Sequence, residues 1–130
     1  MTPNLGNDLE TDPRFPSGDW AGFWLQRGTY DGRQAMKLSL TFALGKVYGS
    51  GSDLLGDFTL TGRYDTATGK VTLHKQYAGE HLVLYEGWAE SGKGIWGVWK
   101  IEGKKDGFHL WPSTMPPLAS RRRMLASWIS

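Results

Sequence analysis

The sequence predicts an all-β protein that folds as an eight-stranded antiparallel up-and-down β-barrel with a short C-terminal helix. Three observations lead to this prediction. Between about residues 22 and 111, apolar and polar residues alternate in short segments, which is typical of strands with one buried face. Turns that contain glycine separate the segments, and the connections are short enough to join antiparallel neighbours. Eight such strands are enough to close on themselves and leave no unpaired edge.

The alternation also assigns each strand and its buried face. The predicted strands span residues 22–30, 35–43, 46–51, 57–64, 70–78, 82–90, 94–101 and 108–111. In the second of them, Leu38 and Leu40 share one face, while Lys37 and Ser39 share the other. The same reasoning predicts the core residues, which are Leu38, Leu40, Phe58, Leu60, Val71, Leu73 and Trp99.

The chain divides into three predicted parts, which are a flexible N-terminal arm (1–17), the barrel (18–112) and a C-terminal segment (113–130). Residues 118–129 of that segment are predicted to form the helix. Its apolar face carries Leu118, Leu125, Trp128 and Ile129. A free helix of about twelve residues is marginally stable, so we expect it to dock on the barrel or on a partner.

Composition argues against several classes of function. The chain has no cysteine, which excludes disulfide bonds and thiolate chemistry. Its net charge of +2 is close to balance, and the one cationic run, Arg121–Arg123, is typical of a solvated helix face, so no nucleic-acid partner is predicted. The N-terminal residues contain no apolar run, so we expect no membrane partner and a cytoplasmic location. No cofactor or metal is predicted, because the histidines are not grouped at ligand spacing.

Four short segments share features with one known family of barrels. They are Gly22–Gln26, which opens with G-x-W, Leu60–Asp65, Trp99–Lys100 and Asp106–Phe108. The first resembles the opening strand of avidin and streptavidin, a feature that lipocalins share more loosely. The second resembles their fourth strand, and the last two resemble elements near their end. The resemblance spans about residues 20–111 in patches and implies an eight-stranded barrel that binds a small molecule and assembles into tetramers.

The polar residues of the family's biotin pocket differ in this chain. By position, Gln26 replaces an Asn that contacts the ureido oxygen, and Asp53 falls where a loop Ser is expected. Gly97 stands where a ligand-binding Thr is expected. Tyr85 and Trp99 keep the aromatic walls. The resemblance therefore implies an aromatic cage with changed polar contacts, and biotin is not the expected ligand.

Lys75 stands out because it is in phase with Leu73 and Tyr77 and is therefore predicted to point into the barrel. A buried ammonium is costly unless it is paired. Its side chain therefore reaches the barrel mouth, or meets a carboxylate or an anionic ligand. Arg27 is in phase with Phe23 and raises the same question. The predicted ligand-binding residues are Gln26, Arg27, Tyr64, Lys75, Tyr77, Tyr85 and Trp99, and no catalytic residue is assigned.

Two neighbouring strands also carry apolar residues in the outward phase, which are Leu82, Leu84, Trp88, Trp96 and Val98. A contiguous exposed apolar patch usually has a partner. The candidate partners are the C-terminal helix and a second barrel. We predict a homo-oligomer through this face, most simply a dimer.

Three functions compete for this barrel. The leading prediction is a non-enzymatic small-molecule-binding protein, avidin-like or lipocalin-like. The second is a protein-interaction or oligomerisation module with a filled barrel, and the third is a small enzyme that uses Lys75 or Asp53 as acid–base groups. A hollow interior with Lys75 unpaired favours the first, and a filled interior favours the second. A carboxylate within hydrogen-bond reach of a second titratable group inside a cleft favours the third.

Overall fold

The computed structural model describes residues 8–114, and these form a closed barrel of eight antiparallel strands in chain order. The strands are β1 Gly18–Trp24, β2 Gln34–Ala43, β3 Lys46–Asp53, β4 Gly56–Tyr64, β5 Lys70–Tyr77, β6 Leu82–Glu90, β7 Gly94–Ile101 and β8 Lys104–Pro112. Each strand pairs with the next, and β8 pairs with β1, so the sheet has no unpaired edge. The predicted fold class is confirmed, while the predicted C-terminal helix at 118–129 lies outside the described residues.

Three strands differ from the prediction by two residues or more at one end or both. The first strand begins at Gly18 and ends at Trp24, so the predicted range of 22–30 is wrong at both ends. Strand β3 runs on to Asp53 and β8 begins at Lys104, because the turns beside them are only two residues long. One of these turns contains Glu102, which has a φ of 39°. Two-residue turns with positive φ suit the right-handed twist of paired strands and allow the ladder to continue close to the turn.

The interior contains one continuous cluster of buried side chains to which all eight strands contribute. Every residue that the alternation predicts as core is buried, so that prediction is confirmed. Glycines allow the strands to coil tightly around this cluster. A Cβ at Gly62 would collide with the carbonyl oxygen of Thr72, and a Cβ at Gly97 would collide with that of Glu86. Neighbouring strands therefore approach more closely at these positions than a side chain would permit.

One end of the barrel, which we call the capped end, lies where β1 begins and β4 ends. Phe15, which precedes β1, is fully buried there and packs on Phe42 and Tyr64 at ring-centroid distances of 5.5 and 4.8 Å. The Tyr64 hydroxyl donates a 2.7 Å hydrogen bond to Glu10. The described part of the N-terminal segment thus closes this end, and the predicted ligand-binding residue Tyr64 is part of the closure.

Candidate functional site

The opposite end, which we call the Asp53 end, contains a buried ion pair. Asp53 is the last residue of β3 and has the same inward parity as Val47. Lys75 lies on β5 with the inward parity of Leu73. Their side chains meet with Lys75 Nζ 2.7 Å from Asp53 Oδ2, and they are 1 % and 0 % exposed. The lysine that the sequence predicts to be buried therefore has a carboxylate partner within the chain.

The Asp53 carboxylate accepts hydrogen bonds from three further groups. Oδ2 accepts from Trp24 Nε1 at 3.0 Å and from the Tyr77 hydroxyl at 2.5 Å. Oδ1 accepts from the backbone N–H of Leu55 at 2.9 Å. Four donors on two strands and one turn thus converge on a single carboxylate. A buried charge with this many charge-assisted bonds is well satisfied.

Aromatic rings surround the Lys75 ammonium. Nζ lies 4.3 Å from the Phe58 ring centroid and 4.7 Å from that of Tyr77, both within the range of cation–π attraction. Nζ also donates to the Tyr85 hydroxyl oxygen at 3.2 Å and lies 3.3 Å from Met36 Sδ. Acceptors and ring faces therefore occupy the space around the ammonium, where a ligand would otherwise contact it.

The surroundings shift the pKa values of these groups, and the shift favours the charged form of Asp53 but opposes that of Lys75. Burial raises the pKa of Asp53, but the bonds from Lys75 and Tyr77 outweigh it, so the net pKa lies below its ordinary value. Burial lowers the pKa of Lys75 to about 8, although the bond to Asp53 opposes this change. Burial and the nearby carboxylate raise the pKa of Tyr77 and of Tyr85. At neutral pH the cluster therefore contains a carboxylate, an ammonium and neutral phenols.

The structure brings together four of the residues predicted to bind a ligand, which are Lys75, Tyr77, Tyr85 and Trp99. Trp99 pairs with Tyr85 across β6 and β7. Its indole N–H donates a 2.7 Å bond to the carbonyl oxygen of Leu25. The polar atoms of these side chains are therefore bonded to other parts of the protein.

The other predicted residues lie elsewhere. Tyr64 is at the capped end, and Gln26 lies in the loop after β1, where its side chain contacts Thr29 at 3.4 Å. Arg27 is in the same loop, 67 % exposed, and pairs with Asp106 at 2.6 Å. The predicted inward orientation of Arg27 is wrong, because the inward parity of β1 belongs to Trp24 rather than to its neighbours.

Four members of the cluster are absent from the predicted ligand-binding set, which are Trp24, Met36, Asp53 and Phe58. A signal for Asp53 was present, because it lies an even number of residues after the inward Val47. The predicted range of 46–51 for this strand stops before Asp53 and leaves it out. Trp24 is absent for a different reason. Both faces of β1 carry large apolar residues, so alternation alone does not identify the face that points into the barrel.

The buried Asp53–Lys75 cluster gives little support to the enzyme hypothesis. The enzyme hypothesis needs a carboxylate and a second titratable group inside a cleft. Asp53 and Lys75 meet the distance condition, but their side chains are buried beneath the rings at the Asp53 end. Over residues 8–114 no group of three or more His, Asp or Glu side chains is placed to hold a metal ion. The same residues contain no helix that is long and apolar enough to cross a membrane.

The outer surface of β6 and β7 carries the apolar residues predicted to face outward. Trp88 is 52 % exposed, Leu82 and Val98 are also exposed, and Leu84 and Trp96 are half-buried. A groove of about 600 Å³ runs beside Trp88 and Val98. Its charged lining residues are Arg27, Glu86, Lys100, Lys105 and Asp106. This surface, which we call the β6–β7 face, combines apolar side chains with charges of both signs.

Comparison with protein-family models, with curated protein sequences and with solved structures finds no match for this chain. The closed eight-stranded barrel agrees with the architecture that the resemblance to avidins implies. Membership of that family stays a prediction.

Proposed function

We propose that this protein is a non-catalytic interaction module in which a filled barrel acts as a rigid scaffold and the β6–β7 face binds a second copy of the chain. The observation that carries the proposal is the half-exposed Trp88 beside the exposed Val98, on strands whose inward residues are buried. Contiguous exposed apolar surface marks interaction sites in soluble proteins, and Trp is enriched among the residues that dominate binding energy.

The charges on the face favour a second copy as the partner. Glu86 and Lys100 lie on neighbouring strands with their charged atoms 3.3 Å apart, and Lys105 adds a positive charge beside them. In a two-fold symmetric dimer the same patch faces itself, so an acidic residue can lie opposite a basic residue of the other copy. A face with charges of one sign would repel its own copy, whereas this face has both signs.

Binding of a small molecule inside the barrel has less support. The predicted ligand contact Lys75 is paired with Asp53, and the hydroxyl of Tyr77 is bonded to the same carboxylate. A ligand would have to replace these bonds and displace the rings around them. We therefore expect isothermal titration with biotin and with small carboxylic acids to give no heat of binding. A saturable heat that Lys75→Met removes would favour the small-molecule function instead.

The self-association can be tested by sedimentation velocity over a concentration series up to about 100 µM, a range that covers weak interfaces of small area. We expect the wild-type chain to dimerise and Trp88→Ser to weaken the dimer at least tenfold, as expected for a central interface tryptophan. Tyr48→Ser is the matched control, because Tyr48 is an exposed aromatic residue on β3, away from this face. A wild-type chain that stays monomeric throughout, or a dimer that Trp88→Ser leaves intact, would contradict the proposal.

A further inference from the structure

Two basic side chains lie directly opposite each other on the outer surface of the barrel. Lys46 begins β3 and pairs in register with Arg63 near the end of β4. Both are exposed and have the outward parity, because their chain neighbours Val47 and Tyr64 are buried. Directly opposed residues have Cβ atoms about 4.5–5.5 Å apart, so the two positive charges repel each other and destabilise the pairing of the strands.

A third cation lies close to this pair. Lys70 begins β5, and it lines a groove of about 580 Å³ together with Lys46 and Arg63. None of the ion pairs formed by residues 8–114 includes any of these three side chains. The positive charges are therefore available to a partner outside the chain.

Two carboxylates also line the groove, and both are bonded to other groups. Glu10 accepts a 2.7 Å hydrogen bond from the Tyr64 hydroxyl and two from backbone N–H groups of residues 11 and 12. Asp65 accepts a 2.7 Å bond from the backbone N–H of Ala67. These carboxylates hold the N-terminal segment and a turn in place, and neither pairs with a cation of the groove.

Exposed rings lie in the next row of the same surface. Tyr48 on β3 pairs in register with Thr61 on β4, and Thr61 pairs with His74 on β5. Tyr48 is 47 % exposed, and the other two are also exposed. Residues two apart on a strand share a face about 7 Å apart, so Tyr48 stands beside Lys46. A row of positive charge thus runs next to a row that carries two rings and a hydroxyl.

We propose that this surface binds single-stranded nucleic acid, with phosphate groups on the cations and a base stacked on Tyr48. We call it the β3–β5 face, and its residues are Lys46, Tyr48, Thr61, Arg63, Lys70 and His74. Proteins that bind single strands combine a positively charged groove with aromatic side chains on which bases stack. Hydroxyl groups such as that of Thr61 donate to phosphate and sugar oxygens.

The surroundings of Tyr48 favour this partner over an anionic membrane. Its neighbours on the adjacent strands are Thr41 and Thr61. A surface that enters a membrane interface has apolar residues beside its aromatic rings, whereas these neighbours carry hydroxyls. The net charge of +2 predicts no nucleic-acid partner, but the inference depends on where the charges lie and not on their total.

The binding is independent of the proposed dimer, because the β3–β5 face and the β6–β7 face lie on different strands. It can be measured by fluorescence anisotropy with a labelled oligothymidine of about 12 nucleotides at low salt. We expect saturable binding by the wild-type chain, and Trp88→Ser, which weakens the proposed dimer, should bind equally well. Absence of saturable binding by the wild-type chain would overturn the inference.

A double variant tests the two opposed cations. Lys46→Gln combined with Arg63→Gln should weaken binding at least tenfold, because it removes two charge-assisted phosphate contacts. It should also reduce the slope of log affinity against log salt concentration by about 1.4, which corresponds to two fewer neutralised phosphates. Lys37→Gln combined with Lys104→Gln is the matched control, because it removes the same charge from exposed positions on β2 and β8. Equal losses in the two double variants would show a general attraction to the protein and would overturn the site.

Tyr48→Ser tests the stacking and separates nucleic acid from other polyanions. We expect it to weaken oligothymidine binding at least fivefold, as for a stacked base, and to leave the salt slope unchanged. Heparin carries no bases, so its affinity should be the same for Tyr48→Ser and for the wild-type chain. An unchanged affinity of Tyr48→Ser for oligothymidine would mean that the face binds any polyanion, and would contradict the inference.

The stability of a single variant tests the premise that the opposed cations do not serve the fold. Lys46→Gln removes the repulsion from Arg63, so the urea midpoint should stay unchanged or rise. A lower midpoint would show that Lys46 stabilises the barrel, and the argument for a binding role would fail.

Discussion

Lys75 and Asp53, which lie 22 residues apart in the sequence, form an ion pair of 2.7 Å beneath the rings at the Asp53 end of the barrel. The pair joins β3 to β5 across β4, so it links strands that are not hydrogen-bonded to each other. Removing both charges from water is costly, and their attraction compensates only if the remaining atoms are also bonded. Trp24 and Tyr77 supply those further bonds, so the cluster links three strands, β1, β3 and β5.

The first prediction follows from this pair. Lys75→Met should lower the free energy of unfolding by about 3–5 kcal/mol, because it leaves the Asp53 carboxylate buried without a counter-ion. Urea denaturation at pH 7 measures the loss. Lys100→Met is the matched control, since Lys100 pairs with Glu86 on the exposed outer surface and should cost about 0–1 kcal/mol.

A double variant distinguishes the loss of stability caused by an unpaired buried charge from the loss caused by poorer packing. Lys75→Met combined with Asp53→Asn removes both charges and keeps an amide oxygen for Trp24 Nε1 and Tyr77. The double variant should be more stable than Lys75→Met alone. If Asp53→Asn gives no recovery, the loss in Lys75→Met comes from packing rather than from the carboxylate.

His109 makes the stability sensitive to acid. Burial lowers the pKa of His109, and the bond of Nε2 to the carbonyl oxygen of Lys93 only partly opposes this. The unfolded chain therefore binds a proton near pH 6.5, while the folded protein keeps the ring neutral to lower pH. The unfolded state binds more protons in this window, so the stability contributed above pH 6.5 should be lost as the pH falls.

Urea midpoints between pH 7.5 and pH 5 in wild type and in His109→Phe test this contribution. His109→Phe should flatten the slope of stability against pH, because Phe keeps the ring contacts and does not titrate. His74→Gln serves as the control, since His74 is exposed on β5. If the slope of stability against pH persists in His109→Phe and disappears in His74→Gln, His109 is not the source of the pH dependence.

The alternation was informative where one face of a strand is apolar and the other is polar. Strand β2 alternates without exception from Met36 to Leu40, and its inward residues were predicted correctly. The same logic placed Lys75 inside the barrel, although its neighbours in the strand are also polar. Parity thus located a buried charge that hydrophobicity alone would have placed in water.

Parity was not decisive where both faces are covered. In β1, Trp20 and Trp24 lie inside, while Phe23 and, directly after the strand, Leu25 are buried on the outer side. An apolar residue therefore occurs on either face, and Phe23, with which Arg27 is in phase, belongs to the outer face. The sequence does not identify Asp53 as the partner of Lys75 for a related reason. A side-chain contact between β3 and β5 depends on where these strands end, and turn residues define strand ends only loosely.

The phase of β4 gives a third prediction. Leu60 is buried in the interior and Thr59, its neighbour in the chain, is exposed. Leu60→Ala should lower the free energy of unfolding by about 2–5 kcal/mol, because it removes buried surface and leaves a cavity. Thr59→Ala should change it by about 0.5 kcal/mol or less. Similar urea midpoints for the two variants would show that the assigned phase of the strand is incorrect.

The last prediction concerns the capped end. Phe15 precedes the first strand, yet it is fully buried and packs on Phe42 and Tyr64. If this segment behaved as the flexible arm that its prolines suggest, Phe15→Ala would leave stability unchanged. The packing instead predicts a loss of about 3–5 kcal/mol, as for other buried phenylalanines.

Two further variants identify the cause of that loss. Phe15→Leu keeps most of the buried volume and should cost less than Phe15→Ala. Glu10→Gln keeps an acceptor for the Tyr64 hydroxyl and should cost about 1 kcal/mol or less, the range of a single hydrogen bond. Hydrogen exchange adds a local readout, because Phe15→Ala should speed exchange first in the amides where β4 ends and β5 begins. Uniform exchange, with no loss in the urea midpoint, would mean that residues 8–17 do not close the barrel in solution.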